Sequence, residues 1–172
     1  SLASKTSYIG EIGLDFSEKD TSRRQSQIDV LDKIFEIVND RPRFISLHSR
    51  RAEKSLFDIL NNHNIKKAIF HWYSGPLNLI DRLVSADHFF SINPAMIKSK
   101  NGQKIIERIP VDRILTESDG PYVMTKGKPV EPKDVRLVIE HLKIIWNKSF
   151  DEIDQRIQKN FKTIISGIAS VK

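Results

Sequence analysis

The sequence predicts an α/β fold, a TIM-type (β/α)8 barrel lacking its first two strands in this chain. Two observations carry that expectation. Short apolar runs rich in β-formers alternate with amphipathic stretches of helical period, the pattern of parallel strands joined by helical crossovers. Four of those runs also place an acid or a histidine at or near their C-terminal ends: Glu11, His48, His71 and Asp119. A polar group on an otherwise apolar strand is costly unless it is paired or bound to a metal. In barrels of this type the functional groups sit at the C-terminal ends of the strands.

The elements follow in order. Residues 1–7 are polar and read as a loose lead-in, and 8–16 is a strand in which two glycines let backbone pass close by. Ser17 to Ser22 is a polar loop. Arg24 to Asn39 is an amphipathic helix, with Ile28, Leu31, Ile34, Phe35 and Val38 spaced three and four apart. It stops at Asp40-Arg41-Pro42, because proline disfavours helix in the residue before it. Strand 43–48 follows, then a helix from Ala52 to about Asn61, strand 67–72 and the breaker Ser74-Gly75-Pro76. Leu77 to Ala86 is a helix, His88 to Asn93 a strand, Gln103 to Arg108 a short helix, and 113–118 a strand that runs into acids. Thr125 to Pro132 reads as a basic loop. Three helices close the chain, at Asp134 to Trp146, Asp151 to Lys159 and Phe161 to Ile168. There is no internal repeat and no linker, so residues 1–172 are expected to form one domain.

Composition narrows the class. The chain has 172 residues, enough for a real core. No apolar run approaches a membrane-spanning length, and the N-terminus does not resemble a signal peptide. With no cysteine there is no disulfide framework and no thiolate metal site, which permits the cytoplasmic location we expect. Lys and Arg number 28 against 22 Asp and Glu, a net charge of +6 that favours a polyanionic partner or simply a solvated basic surface.

Each candidate residue has a plainer alternative. A single histidine such as His48 is more often a hydrogen-bonded structural group. Two histidines at equivalent points of adjacent parallel strands, about 4.8 Å apart, can reach one ion. Glu11 then supplies a carboxylate that binds or bridges, or it pairs with a basic side chain. Asp119 lies in Asp-Gly-Pro, itself strong turn chemistry. Glu117 reads as structural, and Asp15 as a cap or loop hydrogen bond. Arg50 and Arg51 either hold a phosphate or solvate a helix start. Trp72 and Tyr73 either stack on bases or pack in the core. His63, His88 and His141 read as surface or packing residues.

At these residues the sequence resembles the TatD family of metal-dependent deoxyribonucleases, amidohydrolase-like TIM barrels. The matching stretches are Gly10-Glu11-Ile12-Gly13-Leu14-Asp15, His48-Ser49-Arg50, His71-Trp72-Tyr73-Ser74-Gly75, Ile109 to Tyr122 (with Ser118 where the family usually has threonine) and Asn160-Phe161. The resemblance covers almost the whole chain. It implies hydrolysis of DNA phosphodiester bonds by metal-activated water. By that resemblance Glu11 would bridge or bind the metals, His48 and His71 would bind one of them, and Asp119 would bind the other and handle protons; the residues themselves suggest Arg50 and Trp72 as the groups that meet the substrate. It also implies divalent Mg²⁺, Mn²⁺ or Zn²⁺, two ions in the complete protein. The His71-Trp72-Tyr73-Ser74-Gly75 variant is similar to members of the Qat anti-phage defence system, which would add other protein subunits as partners. The family's opening His-x-His pair is absent here, so an N-terminal segment that carries it is expected before Ser1. The alternatives are a non-catalytic subunit of a larger complex, or a hydrolase of another ester or amide.

Overall fold

The computed structural model describes residues 5–17, 20–166 and 168. Parts of the expected lead-in (1–4), of the loop 17–22 (18 and 19) and of the last helix (167) lie outside the described residues. Five parallel strands form one sheet in chain order: β1 (Tyr8–Asp15), β2 (Phe44–Arg50), β3 (Ile69–His71), β4 (Phe89–Ile92) and β5 (Ile114–Thr116). Helices α1 (Ser22–Val38), α2 (Glu53–Asn62), α3 (Leu77–Ser85), α4 (Pro94–Lys98) and α5 (Lys100–Arg108) make the crossovers. A hairpin β6 (Met124–Thr125) and β7 (Lys128–Pro129) follows, then α6 (Arg136–Trp146) and α7 (Phe150–Ile165). Among the described residues no helix is long and apolar enough to cross a membrane.

Neighbours in sequence are neighbours in the sheet throughout, so the strand order never reverses. That is the wall of a barrel rather than a doubly wound sheet, whose order switches at its middle. The two faces of the wall differ accordingly. Ile45, Leu47, Phe70, Phe90, Ile92 and Ile114 face the crossover helices and join Leu31, Phe35, Leu56, Leu60, Ile80 and Leu83 in the main core. The alternate residues Phe44, Ile69, Phe89 and Leu115 form a second cluster on the other face, closed by Ile157 and Ile164 of α7. Asn160 of α7 donates from Nδ2 to the carbonyls of Val111 and Ile114, at 2.9 and 2.8 Å, anchoring the helix below the start of β5.

The structure departs from the sequence reading in four places. Asp151 to Ile165 is one helix rather than two, and Asn160-Phe161 does not break it. The stretch after β4 holds an additional short helix, α4, because Asn93 Oδ1 accepts from the backbone of Ala95 and Met96 and Pro94 takes the first helical position. The basic loop contains the β6–β7 hairpin. β3 and β5 are shorter than expected, three residues each; Glu117 follows the end of β5, its backbone N–H still donating to the Ile92 carbonyl at 2.9 Å, and Asp119 stands two residues further on.

Candidate metal centre

Glu11 owes its position to a bulge. Ile9 pairs with Ile45 and Ile12 with Leu47, so Gly10-Glu11 together oppose one residue of β2. Gly13 makes the close passage possible: at φ +151°, a Cβ there would lie 2.0 Å from the His48 carbonyl oxygen. No other residue type fits without moving β1 away from β2.

His71 ends the inner-facing register of β3, and His48 stands on the inner face of β2 one inward position before Arg50. His48 Nδ1 lies 2.9 Å from Glu11 Oε1, and its Nε2 lies 3.3 Å from Asp15 Oδ2. His71 Nε2 lies 3.3 Å from Asp119 Oδ1 and 3.9 Å from Glu11 Oε1, while its Nδ1 lies 2.5 Å from Glu117 Oε2. Glu11, His48, His71 and Asp119 thus converge, as the spacing on adjacent strands predicted. Asp15 accepts from the Ser17 backbone N–H at 2.8 Å, the expected loop bond, and adds the contact to His48.

Electrostatics follow from this crowding. Burial pushes His71 down, but the Glu117 hydrogen bond and the charges of Glu117, Glu11 and Asp119 outweigh it and raise the pKa to about 8. Burial raises Asp119, opposed by His71 and reinforced by the charges of Glu117 and Glu11. Burial also raises Asp15, but hydrogen bonds from Ser17 and His48 leave it below the usual carboxylate range.

The cluster opens into a pocket of about 550 Å³, the size of a small-molecule site. Arg50 and Trp72, the two expected substrate contacts, are among its lining residues. Arg51 is exposed and is not part of that lining. The aromatic pair divides: Trp72 is at the rim, whereas Tyr73 is buried and donates to the Pro76 carbonyl at 2.7 Å. Ser49, Ser74 and Tyr122 also line the pocket and escaped the sequence reading. Tyr122 is 83% exposed, and its sequence signal was its place directly after Asp119-Gly120-Pro121, at the end of the matching stretch Ile109 to Tyr122. His63 pairs with Asp32 at 2.9 Å and His88 is buried; both lie away from the pocket, as does His141. Asp119 and Trp72 both take left-handed backbone, φ +50° and +39°, a conformation that bulky residues rarely adopt and that concentrates at functional sites.

Two imidazoles and two carboxylates without thiolate form a donor set suited to Mg²⁺, Mn²⁺ or Zn²⁺. The inward atoms are His48 Nδ1, His71 Nε2, Glu11 Oε1 and Asp119 Oδ1. Among the described residues no group of three or more such side chains stands ready to hold a metal ion; His48 Nδ1 is hydrogen-bonded to Glu11, and His71 Nε2 lies only at ion-pair distance from Asp119. Each imidazole also has a carboxylate on its outward nitrogen, Asp15 for His48 and Glu117 for His71, the arrangement that orients metal-binding histidines. The chemistry of these donors, rather than a preformed cage, is what fits a divalent ion.

Residues 2–166 match the family described as TatD related DNase. The chain belongs to that family. It is 31% identical over 153 residues to an uncharacterised metal-dependent hydrolase of Methanocaldococcus jannaschii, covering 88% of this chain and 59% of that protein. It is 27% identical over 156 residues to human deoxyribonuclease TATDN3, covering 88% of this chain and 57% of the relative. The crystal structure of the Escherichia coli TatD homologue YJJV superposes with a TM-score of 0.78 at 26% identity, over 90% of this chain and 62% of that one. The chain thus spans about three fifths of the length of these TatD relatives.

Proposed function

We propose that this TatD chain provides the metal-holding wall of a hydrolase that cleaves phosphodiester bonds in DNA. Glu11, His48, His71 and Asp119 would hold a divalent ion, with a second ion in the complete protein. Bound there, such an ion supplies a lowered pKa for water and neutralises charge on a phosphate oxygen. Asp119, with its proton affinity raised by burial and neighbouring carboxylates, takes the proton of the attacking water and can return it to the leaving oxygen. Arg50 offers the planar fork that grips non-bridging phosphate oxygens, and Trp72 a ring on which a base can stack. The net charge of +6 favours the same polyanionic partner.

One observation carries the reading: Asp119, His71 and Glu11 share a pocket with Arg50, so the acid-rich donor set has a cationic residue in its lining for an anionic substrate. The name of the human relative supports the choice of DNA over other esters. Narrower proposals are a cytoplasmic location and, from the His71-Trp72-Tyr73-Ser74-Gly75 variant, work beside other subunits in anti-phage defence.

The test is digestion of defined DNA oligonucleotides with Mg²⁺, Mn²⁺ or Zn²⁺ present or chelated, set against simple carboxylic ester and amide substrates. Asp119→Asn should lower the DNA rate by about 100-fold or more. Digestion at the parent rate by Asp119→Asn, or preferential turnover of the ester or amide, would overturn the reading.

A further inference from the structure

Glu117 stands just past β5 with both carboxylate oxygens engaged. Oε2 lies 2.5 Å from His71 Nδ1 and also accepts from the Ser91 hydroxyl. Oε1 accepts from Asn93 Nδ2 at 3.0 Å and from the Trp72 backbone N–H at 3.1 Å. A carboxylate has about four acceptor positions, so this one is filled. The amide of Asn93 has no freedom to turn: its Oδ1 accepts two backbone N–H groups at the start of α4, which leaves Nδ2 facing Glu117. The Trp72 bond holds the residue after His71 in its left-handed backbone.

We infer that Glu117 is a positioning residue that keeps the proton of neutral His71 on Nδ1 and so leaves the lone pair of Nε2 facing Asp119 and Glu11. The inference rests on the reading of His71 as a metal ligand, and is independent of whether the substrate is DNA. The chemistry is direct. An ionised carboxylate accepts only, so the nitrogen hydrogen-bonded to it at 2.5 Å must carry the hydrogen, whereas Asp119 stands 3.3 Å from Nε2 without a hydrogen bond. The other nitrogen is then the one able to ligate. A glutamine at this position keeps the shape but makes one of the two atoms a donor. Opposite Asn93 and Trp72 that atom would meet two donors that cannot change. Opposite Ser91 and His71 it meets a hydroxyl that rotates and a ring that can move its proton. Glu117→Gln should therefore transfer the His71 proton to Nε2, pointing it into the metal position.

The experiment compares the parent protein, Glu117→Gln and Ser91→Ala. Long-range ¹⁵N–¹H spectra of the imidazoles, recorded without metal in alkaline buffer, read the tautomer. Calorimetric titration with Mn²⁺ and Zn²⁺ reads affinity, and urea unfolding reads stability. The parent should show His71 protonated at Nδ1. Glu117→Gln should show it at Nε2 and bind metal about 10- to 100-fold more weakly, with its urea midpoint kept. Ser91→Ala should keep the parent tautomer. A parent spectrum with the proton on Nε2 would overturn the inference by itself. So would a Glu117→Gln variant that retains the Nδ1 proton or the parent affinity, or equal losses of affinity and stability in both variants. Absence of DNA cleavage in all three proteins would count against the proposed substrate and leave these readouts standing.

Discussion

The two faces of the sheet carry different chemistry along the same strands. On the outer face Ile45 and Leu47 of β2, Phe70 of β3, Phe90 and Ile92 of β4 and Ile114 of β5 are apolar and buried, and only Ser49 and Thr116 at the ends of β2 and β5 are polar. On the inner face the strands begin apolar, with Phe44, Ile69, Phe89 and Leu115, and finish polar, with His48, His71, Ser91 and, just beyond, Glu117. The cause is coverage. Crossover helices lie along the whole outer face, so any unpaired polar group there would be desolvated without compensation. The inner face is covered at its lower end only, by α7, and its upper end opens on the pocket. Stability is concentrated on one side of the sheet, and chemistry at one end of the other.

Mutations that shorten the outer face should therefore cost most in folding. Phe70 is fully buried among Tyr73, His88 and Phe90, and Phe70→Ala should lower unfolding free energy by about 3–5 kcal/mol in urea titration. A loss as small as that of a surface change would mean the outer face is not the stabilising one.

The next effect is a pH dependence belonging to the same face. His88 is buried between Phe57 and Phe70, neither ring nitrogen has a partner, and burial, helped by the charge of Lys66, pushes its pKa down to about 4. The folded pKa is below the ordinary 6.5, so as pH falls from about 6.5 to about 4 the unfolded chain takes up a proton that the folded chain does not. Stability is complete above that window and declines through it, by up to about 3 kcal/mol at its lower end. His88→Phe should flatten this part of the profile in unfolding experiments across pH; an unchanged slope would assign the loss to other groups.

A smaller effect belongs to the cover of the inner face. Ser149 and Glu152 cap α7 reciprocally, and Ser149→Ala should remove about 1 kcal/mol by the loss of that cap. The smallest change in folding should come where the change in chemistry is greatest. Asp119→Asn removes a carboxylate whose pKa is raised by burial, a group whose charge opposes folding above its unfolded pKa, so its urea midpoint should stay at or slightly above the parent's. A marked fall would make Asp119 a structural residue and blur the contrast between the faces.

Much of this was readable in advance. Alternation of apolar runs with helical periods showed the parallel wall, because burial of one helix stripe and both strand faces leaves a regular pattern in one dimension. Glu11, His48, His71 and Asp119 were conspicuous because each breaks or follows such a pattern, although Glu11 proves to lie within β1, at its bulge, and Asp119 beyond β5. Tyr122 was not, since an exposed aromatic beyond a turn breaks no pattern. Nor was the continuity of α7 through Asn160-Phe161, where the Asn160 side chain is satisfied by carbonyls of a distant segment.

By itself, the sequence determined the order of elements, which residues are apolar, and which four polar groups the strands would bring to one end. Tertiary structure decided the rest: the bulge that turns Glu11 inward, the closure of the lower inner face by α7, and the carboxylate on the outward nitrogen of each histidine. Periodicity is a property of neighbours along the chain. The hydrogen bond that Glu117 accepts from His71, 46 residues away, exists only once the strands between them have set their register.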